Sequence, residues 1–388
     1  MGSAGADIWS ASRYRLALVA FAFVALHLCL DWLGQRYADA AQSITPWNPA
    51  AGLGIILVCR FGRRAAPLIL PTTLISSLML RGPAEPTMLA VMEGLLVGMI
   101  YSIAAIVLTS DRVGFKSRLN TVKDLILLML AAVSGSLAVA TSYVLILAAY
   151  GHVALDNVVA PVLRYWVGDL IGIMIVVPFG LLALDSRLDL KPTGSRLLLL
   201  LTTAVLMTVA IAYRDAGGFT YFYFLFLPVI WAALGYGIEG VVPVLALIQA
   251  GVFVTVTALK MDFLDITHFQ ARMIALSATG LIAGVLVSER QRFEAHYRRQ
   301  QQALAQVALR GGMGEFGAAI AHEVNQPLSA AGTFAGLVVE SLTTEELKDP
   351  SLIENAHKVV RQIDRASGVV RRLRALVKLA RDDQAPVS

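Results

Sequence analysis

Charge is scarce in this chain. Only 15% of its 388 residues are Asp, Glu, Lys or Arg, while 57% are hydrophobic; soluble domains carry about a quarter charged residues. That excludes a water-soluble globule as the main body. Cysteine is scarcer still. Cys29 and Cys59 stand in or beside apolar runs, far from any metal-ligand spacing, which argues against a disulfide scaffold and a zinc framework. No large charge excess points to nucleic acid: the net charge is +5, and in so apolar a chain surplus Lys and Arg report membrane orientation. A cleavable leader is not expected either. The run Leu16 to Leu33 lacks a small-residue cleavage site and opens a whole array of apolar runs.

What the chain has in abundance is apolar length. Hydrophobic runs alternate with short polar breaks from Leu16 to Val287, and from Ser288 to Ser388 the sequence turns charge-rich. A helical span takes about 20 apolar residues, within roughly 17–25. The expected segments are 15–33, 50–60, 65–80, 87–109, 124–150, 159–184, 197–213, 219–236, 240–258 and 269–288. The second and third are short, either two tight spans or one broken re-entrant pair, so the expected count is eight to ten. With the N-terminus inside, twelve Lys and Arg from Arg13 to Arg196 fall in cytoplasmic segments, against Arg36, Arg81, Arg214 and Lys260 opposite. This is the asymmetry the positive-inside rule asks for. The parity returns the chain to the cytoplasm at Ser288, so both termini are expected there.

Several polar groups sit at membrane depth. Asp169 lies in the sixth segment beside Trp166, Glu93 lies in the fourth, and Trp47 and Asn48 open the second. A carboxylate inside a span costs roughly 2.5–3.5 kcal/mol on insertion scales, so Asp169 and Glu93 should face the protein interior. One reading is a sensor site for a small ligand built from Asp169, Trp166, Glu93, Trp47 and Asn48. The competing one is interhelical hydrogen bonding, with Trp47 as an interfacial anchor. His27, near Asp31 in the first segment, reads as a packing group. The stretch Trp47-Asn48-Pro49-Ala50-Ala51-Gly52-Leu53, then Arg60-Phe61-Gly62 and Pro67, and later Trp166-Val167-Gly168-Asp169-Leu170 through Pro178, resembles the membrane-associated sensor domains of bacterial signalling proteins, the MASE family. The resemblance covers roughly residues 15–288. It implies a sensory input role, an unidentified ligand and the bacterial inner membrane.

Beyond the spans the sequence reads as helix throughout. Phe293, Tyr297, Gln300, Leu304, Val307 and Gly311 recur at steps of four and three, a weak coiled-coil seam. Ile320, Val324, Leu328, Ala331, Ala335, Val338 and Leu342 continue with one apolar face. His322 is two residues from both Ile320 and Val324, about 200° round the helix, and so points away from that face. After the polar turn from Thr343 to Pro350, a second helix keeps the seam Leu352, Ala356, Val359, Ile363, Ala366, Val370, Leu373, Val377, Ala380. Two such helices expose apolar surface that neither buries alone, and a homodimer forming a four-helix bundle is the economical solution. His357 is off the seam and reads as a surface residue. The expected fold is therefore all-α: a polytopic membrane helix bundle over 1–288, a helical linker over 289–312, a dimerising cytoplasmic hairpin over 313–382 and a tail over 383–388.

The segment Ala321-His322-Glu323-Val324-Asn325-Gln326-Pro327-Leu328 carries the most specific chemistry. Imidazole, with an ordinary pKa near 6.5, keeps a free lone pair at cytoplasmic pH and can attack phosphorus. Glu323 can hold the other ring N–H and steady the developing charge. Pro327 has no N–H, so the Glu323 carbonyl loses its helix partner and a kink is expected. Gln326 falls one turn along the same face, where it could position water.

These residues resemble the H-box of sensor histidine kinases, in the subgroup written H-E-[IVL]-N-Q-P-L. Gly314-Glu315-Phe316 before it and the basic stretch Arg371-Arg372-Leu373-Arg374-Ala375-Leu376 after it match the family manner. The resemblance covers about 308–382 and implies that His322 is the phospho-acceptor, with Glu323 as its acid/base partner and a response regulator receiver domain as its client. Protein-histidine kinases also need an ATPase domain, with ATP and Mg. This chain ends at Ser388 without one, and Gly311-Gly312-Met313-Gly314 lacks the Lys-Ser/Thr of a phosphate loop. No cofactor site is therefore expected in the chain, and the ATPase domain is expected in a longer protein or in trans. The alternatives are a non-catalytic phosphotransfer and dimerisation module, or a transporter-like ligand-binding protein.

Overall fold

Uninterrupted apolar runs can cross a bilayer only if each satisfies its own backbone, which makes helix the forced choice. The computed structural model describes residues 13–35, 45, 47–80, 87–188, 193–213, 220–259, 263–343 and 350–382, those at 13, 15–16, 220, 256–259, 263–269, 305–319, 341–343, 350–352 and 372–382 by backbone alone. Among them are eleven α-helices and no strand. The helices are α1 (Arg13–Gln35), α2 (Leu53–Phe61), α3 (Ile69–Leu80), α4 (Thr87–Leu108), α5 (Val122–Ala149) and α6 (Val159–Leu184). They continue as α7 (Gly194–Ala212), α8 (Phe226–Tyr236), α9 (Ile238–Leu259), α10 (Phe263–Thr343) and α11 (Pro350–Asp382). The protein is all-α and multi-pass.

Each apolar segment read from the sequence is helical over its described residues, apart from single turn residues at 109, 150 and 213. Among the described residues seven helices are long and apolar enough to cross a membrane, while Pro49–Phe61 and Tyr221–Tyr236 are shorter apolar helices. The break between the second and third segments is Gly62, whose φ of +84° suits a residue without a side chain. Arg36, Arg81, Lys191, Arg214 and Lys260, like the tail 383–388, lie outside the described residues.

The chain divides into two compact units, residues 1–293 and 294–388. In the first, α6 is central: 67% of its span is buried, against 17% for α1 and for α7. Its neighbour α5 opens on an N-cap, Thr121 Oγ1 accepting from Asp124 N at 3.2 Å. The pair α3 and α4 closes on two glycines. A Cβ at Gly94 would lie 2.7 Å from Leu74 Cα, and one at Gly98 would lie 2.8 Å from Leu70 Cα. Backbones this close pack by dispersion and by hydroxyl bonds across the seam. Thr73 donates to the Gly94 carbonyl at 2.8 Å, and Ser77 to the Ala90 carbonyl at 2.8 Å.

One end of this unit is tied by polar groups to the last spanning helix. Ser288 Oγ accepts from Ile238 N at 2.9 Å, and Glu289 Oε2 accepts from Val122 N at 3.0 Å. Arg292 Nη1 donates to the Asn120 carbonyl at 2.9 Å. Arg187 completes the collar, donating to the Arg118 carbonyl, to Asn120 Oδ1 at 3.2 Å and to Glu239 Oε1 at 3.0 Å. Hydrogen bonds to charged groups contribute about 1.5–3 kcal/mol each, and partners left behind pay desolvation. Arg187→Ala should therefore cost about 2 kcal/mol or more, read as an earlier thermal transition of the detergent-solubilised chain. An unchanged transition would mean the collar is solvated.

In the second unit α10 and α11 run side by side, with Lys358 Nζ 5.6 Å from the Phe334 ring centroid. Proline suits the first turn of α11, where its missing N–H costs nothing. Pro327 and Ala331 are buried on α10, and Ile320, Val324, Ala335 and Val338 are half-buried. Leu328, expected on this face, is 47% exposed, and Pro327 occupies the inner position instead. The expected seam of α11 likewise splits. Val359 and Ala366 turn inward with Val369, whereas Ile363 and Val370 face outward. The two sets stand four residues apart, about 40° round the helix, so one edge of the stripe packs inward and the other faces out.

Candidate functional site

His322 is exposed on α10, as its helical phase requires. Its Nε2 lies 3.1 Å from Nε2 of Gln326, one turn on. An amide nitrogen can only donate, so in this arrangement the ring Nε2 accepts and the ring proton sits on Nδ1. Nε2 is then the atom with the lone pair. Glu323 is exposed beside it, but neighbours in sequence diverge by 100° on a helix; the described contact of His322 is with Gln326. The helix continues through Pro327, which is buried. Gly314-Glu315-Phe316 and residues 372–376 lie outside the described side chains.

The membrane unit holds a second polar constellation. Asn48, just before the turn Pro49–Gly52, bonds α6 twice: its backbone N donates to the Gly168 carbonyl at 3.2 Å, and its Nδ2 to Asp169 Oδ1 at 2.9 Å. Tyr101 of α4 donates to Asp169 Oδ2. This contact needs Gly172, where a Cβ would lie 1.9 Å from the Asn48 carbonyl oxygen. The two motif stretches, Trp47 to Gly52 and Trp166 to Asp169, are thus halves of one joint. Asp169 is fully satisfied within it and is 2% exposed.

Beside the joint lies a cavity of about 50 Å³, its wall including His27, Asp31, Asn48, Ser76, Glu93 and Tyr101. Glu93 Oε2 accepts from Ser77 Oγ at 2.8 Å, and Asp31 Oδ2 accepts from Ser76 Oγ at 2.5 Å. Of the five residues read as a sensor site, Asn48 and Glu93 line the cavity, and Asp169 is held by two lining residues. The tryptophans are placed elsewhere. Trp166 Nε1 donates to the Val133 carbonyl at 3.2 Å, pinning α6 to α5, and Trp47 packs edge-on to Phe253 at 4.9 Å.

The family model MASE1 matches residues 14–291, well over half of the chain. The chain belongs to the MASE1 family. Its membrane unit is a MASE1 sensor domain, and the motifs that meet at Gly172 lie wholly within the match. Over 92 residues the chain is also 35% identical to the sensor histidine kinase TmoS of Ectopseudomonas mendocina, covering 24% of this chain and 10% of that protein. No solved structure matches the chain. Within the MASE1 domain the sequence reading passed over Tyr101 and set His27 aside. Tyr101 falls eight residues after Glu93, on the same helix face, and His27 falls four before Asp31. Those spacings were the available signals.

Proposed function

We propose that this protein is a membrane sensor histidine kinase of a two-component system, in which the MASE1 domain receives a small-ligand signal and His322 carries phosphate to a response regulator aspartate. The observation that carries the reading is the exposed His322 ring, bonded to Gln326, on the helix that also contains the end of the MASE1 match. Similarity of part of the chain to a sensor histidine kinase supports it. His322 Nε2 attacks the γ-phosphorus of ATP, the bond to the ADP oxygen breaks, and a phosphoramidate forms. Glu323 serves as the acid/base partner of the ring. ATP and Mg are held by an ATPase domain, in a longer protein or in trans.

A homodimer completes the proposal. Ile353, Val360, Ile363 and Val370 are exposed at steps of seven, three and seven, a second apolar stripe on α11. A partner copy supplies the facing stripe of a four-helix bundle. The protein then sits in the bacterial inner membrane with both termini cytoplasmic.

The test supplies labelled ATP and a separate histidine-kinase ATPase domain to the full chain in nanodiscs. Acid-labile label should appear on this chain and pass to a receiver domain. Absence of label with every ATPase domain supplied would leave a ligand-binding membrane protein without phosphotransfer.

A further inference from the structure

We propose that the segment from Thr109 to Lys123, which joins α4 to α5, binds the headgroup of an anionic phospholipid, its phosphate received by Arg112, Lys116, Arg118 and Lys123. All four side chains are exposed, and among the described residues none of them meets an anion. The neighbouring acids are already engaged. Asp111 pairs with Arg63 at 3.4 Å, and buried Asp124 accepts from Lys116 N at 3.0 Å and from Thr121 Oγ1 at 2.9 Å. Glu289 accepts from Val122 N at 3.0 Å. Asp185, just past α6, is exposed and offsets one charge at most.

The segment is anchored as well as charged. Phe115 and Leu119 are buried, Gly114 N donates to the Ser110 carbonyl at 3.3 Å, and Leu119 N donates to the Lys116 carbonyl at 3.1 Å. Lys123 Nζ lies 3.7 Å from where a Cβ of Gly114 would stand, so it reaches back over the turn that carries Arg112. Membrane orientation asks only for cations on one side, which a loose loop would supply equally well. A fixed backbone that presents them together suits a bound headgroup. Lipid is favoured over a free anion by what lies beneath Lys123. Ile126, Leu130, Val133 and Leu137 are exposed on α5 along the same helix face, a stripe about 21 Å long. An acyl chain laid along that stripe puts its phosphate among the cations. Lys and Arg clustered at the ends of spans attract anionic leaflets in this way. That the leaflet is the cytoplasmic one rests on the proposed topology; the binding itself does not.

The experiment adds phosphatidylglycerol or phosphatidylcholine to the delipidated full chain in detergent and reads bound lipid by native mass spectrometry. Phosphatidylglycerol should bind more tightly, and raised salt should weaken it alone. Each basic residue near an anionic surface is worth about fivefold in affinity. Arg112→Gln, Lys116→Gln and Lys123→Gln together should therefore weaken phosphatidylglycerol about a hundredfold and leave phosphatidylcholine unchanged. Arg118 is spared because its carbonyl accepts from Arg187. Arg361→Gln, Arg365→Gln and Arg371→Gln together remove equal charge from the second unit and should change nothing. Gel filtration reports the folds, and the salt series needs no variant. Equal binding of the two lipids, indifference to salt, undiminished binding in the first folded variant or an equal loss in the second overturns the proposal. Glycerol phosphate that displaces the lipid at equal concentration would make this a site for free phosphate, and overturns it too. Labelling of His322 tests the sensor reading separately, whichever way the lipid result falls.

Discussion

His322→Gln should reduce label incorporation to background while leaving the fold untouched. The proposed phosphoramidate needs a nitrogen lone pair, and a glutamine amide nitrogen has none to give. The substitution is otherwise mild. His322 is exposed, and exposed changes usually fall within about 0.5 kcal/mol. The same exchange at His357, also exposed, should leave labelling intact. Retention of label in the His322 variant, or its loss in the His357 variant alone, would relocate the acceptor. Gln326→Ala offers a subtler reading. It removes the donor at 3.1 Å from Nε2, freeing the lone pair, so labelling should persist while its rate changes.

Gly172→Val should be the most damaging single change in the membrane unit. The added Cβ would meet three main-chain atoms: the Asn48 oxygen at 1.9 Å, the Asn48 carbon at 2.7 Å and the Pro49 nitrogen at 3.2 Å. No rotamer relieves a clash with backbone, so the segment before Pro49 must leave α6. The Asn48 bonds to Gly168 and Asp169 go with it. Overpacking costs about 1–3 kcal/mol and sometimes more, and loss of a buried polar network adds to it. A loss of about 3 kcal/mol or greater is expected, read by thermal unfolding in detergent. Gly135→Ala is the control. Its nearest foreign atom would be Ala104 Cβ at 3.4 Å, ordinary contact, and helix propensity favours alanine by up to about 1 kcal/mol. Equal damage at both positions would mean the joint is not what Gly172 protects.

Helix identity was legible in the sequence because apolar length and helical period are local properties. The exposure of His322 followed from the same arithmetic, two residues from Ile320 and from Val324. Contacts across the fold were not legible. The Trp47 and Trp166 stretches stood out as unusual strings, but nothing local said that they meet, since 121 residues separate Asn48 from Asp169. The tryptophans drew attention by rarity, whereas the cavity wall takes residues such as Thr73, Ser76, Ser77 and Tyr101. These common types matter only through placement. The seam of α11 divides within one copy for a geometric reason: steps of three and four span two adjacent stripes, and packing in the hairpin turns Val359 inward and leaves Ile363 exposed.

The collar around Ser288 has a consequence for evolution. Its side chains at positions 187, 288, 289 and 292 reach mostly main-chain atoms, the Arg118 and Asn120 carbonyls and the Val122 and Ile238 amides. Every residue type except proline at the amides offers those atoms. The loop from 118 to 122 can therefore drift in sequence while its grip persists, and selection on the contact acts on one side only. Paired substitutions, the usual footprint of a contact in related sequences, will not mark it. Among MASE1 proteins this junction should look like a few fixed polar residues facing a variable loop, its tightness invisible to any method that counts co-varying pairs.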